Sequence, residues 1–464
     1  MHPATHAKPT VALSALLSGP RSALLAATLL ALGAPAAAAS NDLLTILRDA
    51  TEHDPVFASA RFAQQAAAEV EPQARSALLP NVSASFGASS TRYKFSSDTP
   101  QFAPDFERTF NGWGPALQVT LPIWRAQLWD SLSQAKLAVR QSEEQLAQAR
   151  ADLAVRVAQA YFDVLSAQDT VTALTANKQA VSEQLAQARR EFEVGTKTIV
   201  DTHEAKARYD QIEAQEAVAR GDLIVKQSAL RAIIGHDPGA LAPLRDPADL
   251  AAPQPADIDA WAKSAEDSNY TVLAARAGAE IARRETVRAR DAYLPTVDLT
   301  GTVQRQQANG DPSLPFSNHV TTTTSAVGLQ LTVPIYTGDL IQSRVRQARA
   351  SEERAAQDLE SARRTASQGA RQAYTGVDYG LAQVRALESA EASAKLQLDS
   401  TRLGYQVGVR INLDVLNANT QLFNTQRDLK KARYDFLVNG LRLKSAAGSL
   451  EEKDVEAVNA LLQP

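Results

Sequence analysis

Residues able to do chemistry are sparse in this chain. His53, His203, His236 and His319 stand apart without metal-ligand spacing, and read as surface or structural side chains. Gly195-Thr-Lys-Thr198 ends like a phosphate loop but lacks the Gly-x-x-x-x-Gly-Lys frame and a preceding strand. No nucleophile–base constellation stands out. The chain has no cysteine, which removes disulfides, thiolate metal sites, cysteine nucleophiles and a lipid-modified cysteine. What remains is a pair of carboxylates, Asp201 and Asp414, each within the first turns of a helical run that follows a Val-Gly pair. There a carboxylate meets the positive end of a helix dipole, so its first role is capping. The chemistry expected is therefore charge placement, with no enzyme activity and no cofactor.

The elements that place those carboxylates occur twice. Arg190-Glu-Phe-Glu-Val-Gly-Thr-Lys-Thr-Ile-Val-Asp201 returns as Leu403-Gly-Tyr-Gln-Val-Gly-Val-Arg-Ile-Asn-Leu-Asp-Val-Leu-Asn417. In each copy the glycine, Gly195 or Gly408, lies between two Ala-rich helical runs, where a left-handed residue ends one helix and turns the chain into the next. A repeat of a whole architecture takes precedence over local assignments. It divides the chain into a leader at 1–39, a first repeat at 40–235, a Pro-rich linker at 236–257, a second repeat at 258–448 and a C-terminal segment at 449–464.

The leader carries Lys8 and Arg21, no acid, the apolar run Ala23–Leu32 and then Ala37-Ala-Ala39. That is the layout of a secretory signal, with the mature chain starting near Ser40. The net charge of −4 becomes more negative once those two cations are removed, which disfavours nucleic acid as a partner. Beyond the leader no run of about 18 apolar residues predicts a spanning helix.

Within the first repeat, residues 41–79 read as a helix that stops at Leu79-Pro80. The period then changes to two in Val82–Ala88 and, after a polar stretch at 90–114, in Leu117–Ile123. From about 127 to 192 it is helical again without glycine or proline, with Leu146, Ala149, Leu153, Val157, Ala160 and Val164 forming a coiled-coil-like seam. Such a helix is about 100 Å long at 1.5 Å per residue. The second repeat replays this: a helix from about 258 ending at Leu294-Pro295, a strand Val297–Val303, a polar loop at 304–324, a strand Val327–Ile335, and a long helix from about 340 to 405.

Four alternating strands of 7 to 9 residues approach the roughly 9–11 that cross a bilayer when tilted. Long polar loops join them on one side, and Trp113 near one end with Trp124, Trp129 and Tyr336 near the other match interfacial belts. Pro80, Pro122, Pro295 and Pro334 mark the strand–helix junctions. Four strands cannot close a barrel, and an open edge in lipid leaves unpaired backbone groups costing several kcal/mol each. Two chains would supply eight strands around a filled interior; three would supply twelve around a lumen. A secreted or periplasmic coiled-coil rod is the competing reading, and it leaves the strands without a purpose.

The chain resembles the TolC family of outer-membrane channel-tunnel proteins over essentially its whole mature length. The resemblance rests on Arg75-Ser-Ala-Leu-Leu-Pro-Asn81, Ala160-Tyr-Phe-Asp-Val-Leu165, Leu294-Pro-Thr-Val-Asp-Leu-Thr300, Val333-Pro-Ile-Tyr-Thr-Gly338, Gly404-Tyr-Gln-Val-Gly408 and Lys444-Ser-Ala-Ala-Gly-Ser-Leu450, and above all on the doubled layout. It implies a homotrimer in outer-membrane lipid, with a 12-stranded β-barrel continued by an α-helical tunnel in the periplasm. It also implies recruitment by a periplasmic adaptor and an inner-membrane transporter of the ABC, RND or MFS type, for drug efflux or type I protein secretion. Carried over by position, Tyr405, Arg410, Asp201 and Arg433 match residues that link the closed tip, and Asp414 matches a ring of acids at its constriction. Asn417 stands where the family has a second aspartate, and Val200 where it has a threonine. The resemblance thus implies mild cation selectivity, lowered by Asp414→Ala, and a leakier tip in Asp201→Ala or Arg433→Ala.

Overall fold

The computed structural model describes residues 41–96, 98, 105–246, 250–310 and 318–463. The leader, Pro247 of the linker, and Asp311-Pro312 of the second polar loop lie outside them.

The mature chain opens with three helices in place of the single helix expected over 41–79: α1 (Leu43–His53), α2 (Pro55–Ala68) and α3 (Val70–Ser76). The break at Asp54 has the same cause as the one at Leu79, since the residue before a proline is pushed out of the α region. Asp54 is extended, and its buried carboxylate accepts the Phe57 N–H at 2.8 Å, capping α2 with Pro55 in the first turn. Two strands follow, β1 (Asn81–Phe95) and β2 (Phe106–Trp124). Next come the 68-residue helix α4 (Ala126–Glu193) and its return α5 (Ile199–Ile234). The second half repeats the order: α6 (Ile258–Ser268), α7 (Tyr270–Arg290), a 3-10 turn, β3 (Thr296–Ala308), β4 (Val320–Thr332), the 67-residue α8 (Leu340–Gln406) and α9 (Asn412–Ala446). Asn269, capping α7 through Thr271 N–H at 2.9 Å, breaks the second entry helix as Asp54 breaks the first. A short α10 (Glu452–Asn459) ends the chain.

The strands form one antiparallel meander, β1-β2-β3-β4. They are longer than the sequence reading allowed, because Ser, Thr and Gln extend the ladder as readily as apolar residues do. Ser90 to Phe95 and Phe106 to Gly114 are strand, as are Gln304 to Ala308 and the threonine run 321–324. Conversely, β4 stops at Thr332, so Val333-Pro334-Ile335 lies past it. Pro80 and Pro295 directly precede β1 and β3, while Pro122 lies inside β2.

Register gives each face its character. Val82, Leu117, Val119, Leu121, Val297, Leu299, Val303, Val327, Leu329 and Leu331 share one face, and Ser83, Gln118, Thr120, Thr300, Thr302 and Gln330 share the other. The apolar face is open in the single chain, with Val327 83% and Leu329 68% exposed. Near the end of β2 the register slips, so that Pro122 faces Asp298 and Trp124 faces Val297. Ile123 is the extra residue, and the bulge turns Trp124 onto the apolar face, where uninterrupted alternation would not have placed it. On β2 beyond Trp113 the rings change sides: Phe106 and Phe110 lie on the polar face with Tyr93 and Phe95 of β1, and Phe110 is buried. Trp129 stands on the first turn of α4.

The main core lies partway along the long helices. Leu153, Val157, Tyr161 and Phe162 of α4 pack with Leu43 and Ile46 of α1, Leu230 and Ile234 of α5, Trp261 of α6 and Tyr434, Leu437 and Leu441 of α9. Chain ends and linker gather there: Asn41 bridges Leu241, Leu462 bridges Leu244, and the Tyr161 hydroxyl donates to the Ala242 carbonyl at 2.8 Å. No helix among the described residues is long and apolar enough to cross a membrane.

Candidate functional site

The two glycine turns lie at the free ends of the hairpins α4/α5 and α8/α9. Gly195 has φ 79° and Gly408 φ 80°, the left-handed conformation required of them. The Thr196 N–H reaches Glu191 O at 2.9 Å and the Gly195 N–H reaches Phe192 O; Val409 and Gly408 repeat the pattern on Gly404 and Tyr405. Both are Schellman closures, which satisfy the last carbonyls of the long helices.

Each predicted carboxylate caps the helix after its turn. Asp201 accepts from Thr198 N–H at 3.3 Å and Thr198 Oγ1 at 3.0 Å, while Asp414 accepts from Ile411 N–H at 3.5 Å and faces Arg410 Nη1 at 3.7 Å. What joins the hairpins is a different set. The Tyr405 hydroxyl donates to Glu191 Oε2 at 2.7 Å, and Lys197 Nζ lies 4.7 Å from the centre of the same ring. Gln184 donates to Asn412 Oδ1 at 2.6 Å, and Asn412, fully buried, donates to the Asp201 carbonyl at 3.3 Å. Arg208 Nη2 donates to Asn417 Oδ1 at 2.9 Å, and Asn419 donates to Asn177 Oδ1 at 2.9 Å with both side chains buried. Burial, and then the Glu191 carboxylate, push the Tyr405 phenol well above the ordinary tyrosine range, so it remains a neutral donor.

Tyr405, Asp201, Arg410, Asp414 and Asn417 are thus brought together at the tip. Arg433 is not. It lies about 28 Å along α9 from Asp414 at 1.5 Å per residue. There it is buried and donates to Asp246 Oδ1 and Glu388 Oε1, each at 3.0 Å, tying α9 to the linker and to α8. Helix rise alone puts it out of reach of the turns, and its role as a tip link is withdrawn. Sequence reasoning also missed Glu191, Gln184, Asn412 and Arg208. Their polar types at helix ends were visible, but not which hairpin each would face.

Below the main core, Glu216 on α5 is buried and bonded to Lys178, to Arg220 at 2.6 Å and to Thr175 at 3.0 Å. These contacts, Lys178 first, hold its carboxyl down at about 2. A depressed carboxylate stabilises the fold above the unfolded value of about 4.3 and loses that contribution as pH falls through the folded one. Thermal melting of the detergent-solubilised protein should therefore weaken between about pH 4.5 and 2. Glu216→Gln should remove part of that slope, and an unaltered slope would show that the contact adds nothing.

A continuous apolar sheet face with two edges unpaired among the described residues, carried on helix hairpins of 68 and 67 residues in their longer arms, decides the class. A family model described as outer membrane efflux protein matches residues 46–236 and 261–449, once per repeat. The chain belongs to the TolC family of outer membrane efflux proteins. It is 33% identical over 424 residues to outer membrane protein TolC of Vibrio cholerae, covering 91% of this chain and 94% of that one. To TolC of Escherichia coli it is 31% identical over 433 residues, covering 92% and 86%. In fold it is similar to the outer membrane channel CmeC of Campylobacter jejuni, with a TM-score of 0.73 at 18% identity over 91% of this chain and 90% of that one. In the TolC fold the four strands of each chain are part of a trimeric outer-membrane β-barrel, and the long helices form an α-barrel in the periplasm. The protein is an outer-membrane exit duct, and the soluble coiled-coil alternative is not favoured.

Proposed function

We propose that three copies close a 12-stranded barrel whose polar face lines the lumen, and that the bonded hairpin tips are its periplasmic gate. The observation that carries this reading is the tip itself: two Schellman turns, one per repeat, with a part-buried tyrosine–glutamate bond between the hairpins and the half-buried Asp414 carboxylate beside it. A periplasmic adaptor and an inner-membrane transporter of the ABC, RND or MFS type would engage and open the tip. The cargo would be small toxic compounds, proteins or both, and the duct performs no chemistry of its own.

Trp113 and Trp124 bracket the bilayer. They lie on the apolar face opposite Gln307 and Val297, so that with the bulge discounted they are about 25 Å apart in height at about 3.3 Å per ladder step and a tilt near 40°, which matches the apolar band of outer-membrane barrels. Trp129 and Tyr336 stand at the same end as Trp124 and complete the periplasmic girdle. Asp414 lines the constriction, with the amide of Asn417 one turn above it.

Conductance of the purified protein in planar bilayers tests the assignment. Wild type is expected to prefer cations mildly, and Asp414→Ala to lower that preference, because like charges at a narrow opening focus the field. An unchanged reversal potential under a salt gradient removes Asp414 from the constriction.

A further inference from the structure

The bonded charges at the tip balance: Glu191, Asp201 and Asp414 against Lys197, Arg208 and Arg410. Two of the three cations have a clear local purpose. Lys197 covers the Tyr405 ring and Arg410 faces Asp414. Arg208 differs. It reaches across from α5 to α9, and its hydrogen bonds among the described residues go to two neutral amides, Gln211 Oε1 at 3.1 Å and Asn417 Oδ1 at 2.9 Å. Asn417 follows Asp414 by one turn on the same face of α9, so the guanidinium lies one level above the Asp414 carboxylate. Neighbouring helical turns are about 5.4 Å apart, against a Debye length of about 8 Å at physiological salt, so charges held at the two levels act on a passing ion together.

We propose that Arg208, held on Asn417, is a specificity-determining residue of the entrance. Its charge offsets Asp414 and keeps the mouth near neutral, and its bond ties the α4/α5 hairpin to α9 when the tip is shut. The pairing of residue types supports this. A carboxylate at 417 would make a salt bridge with Arg208, and the amide found there lets the arginine keep its charge uncancelled while it still ties the helices. The inference rests on the reading of Asp414 as a constriction residue.

Two variants add the same charge and act oppositely on the tie. Arg208→Gln removes a cation and leaves at best a neutral bond; Asn417→Asp adds an anion and turns the bond into an ion pair. In planar bilayers both should raise the cation-to-anion permeability ratio, by about twofold or more. Resting conductance should part them, rising in Arg208→Gln and falling in Asn417→Asp. Arg208→Lys, which keeps the charge, should retain wild-type selectivity. If Arg208→Gln leaves selectivity unchanged while Asp414→Asn lowers cation preference, Arg208 has no such role and the constriction stands. If Asp414→Asn is also silent, the constriction reading itself is lost. Resting conductance moving the same way in both charge variants would overturn the tie.

Discussion

Tyr405→Ala is expected to give the largest rise in resting conductance of any single tip substitution, seen as a persistent open-channel current from the purified protein in planar bilayers. Tyr405 is 7% exposed and belongs to a small buried cluster with Ala394, Leu398, Val415, Ala418 and Leu422 towards the end of the α8/α9 hairpin. Truncating a buried aromatic costs about 3–5 kcal/mol, of which the transfer and cavity terms fall wholly on this small cluster. The change also removes the hydroxyl that holds Glu191 across the hairpins, leaving that carboxylate only the Gln187 amide of its own helix, at 2.7 Å. Since 1.4 kcal/mol is about a factor of ten in an equilibrium, a closed state favoured by a few kcal/mol at each protomer would be largely lost. Tyr405→Phe separates the two contributions. It keeps the packing and loses only the bond, worth about 1.5–3 kcal/mol to a charged acceptor, so its current should lie between wild type and Tyr405→Ala. A Tyr405→Ala duct as quiet as wild type would mean that closure is held elsewhere.

The second large effect is expected at Gly114, where any side chain should block assembly. A Cβ there would lie 1.8 Å from the Arg305 carbonyl oxygen and 3.0 Å from Gln306 Cα, both backbone atoms of β3. Nothing flexible can yield, so β2 and β3 would have to part. The neighbouring Pro115 has no N–H to give to the ladder, and the sheet has little to spare at this point. In lipid each backbone group so released costs several kcal/mol, once per protomer. Gly114→Ala should therefore leave no trimers in outer-membrane fractions run on native gels. Gly87→Ala is the matched control: Gly87 lies directly opposite Gly114 on β1, yet a Cβ there meets nothing within 4 Å. Equal trimer yields from the two variants would contradict this account.

The readable part of the sequence was whatever depends on one strand or one helix at a time. Alternation in Leu117 to Ile123 and Val327 to Leu331 gave the two faces of the sheet, and the absence of glycine and proline gave α4 its length. The chain break at Asp54 was open to the same argument, since Asp-Pro at 54–55 carries the signal used at Leu79-Pro80, whereas the break at Asn269 has no proline and rests on the capping side chain alone. Strand ends were obscured by polar residues: Thr321 to Thr324 pair with Gln304 to Gln307 although neither run has an apolar phase. The bulge at Ile123 was hidden for another reason, since an extra residue becomes visible only against the partner strand. The tip partners were least legible of all. Whether Glu191 meets Tyr405, or Arg208 meets Asn417, depends on how two hairpins are rotated against each other. That phase comes from the packing of Val181, Leu185 and Ile212 against Leu416, and no local pattern records it. Arg433 shows the opposite error, in which correspondence by position was trusted over a distance the helix rise could have measured.

The sheet leaves β1 and β4 each paired on one side only among the described residues. This has a genetic consequence. A subunit damaged at one edge does not merely fail by itself, because it occupies a place in any ring it enters. When damaged and intact chains are made in equal amounts and mix at random, only about one ring in eight is wholly intact, by the stoichiometry of a closed three-fold assembly. Edge alleles such as a proline within β4 should therefore be dominant over wild type, whereas alleles that prevent a chain from folding at all, and so keep it out of the ring, should be recessive.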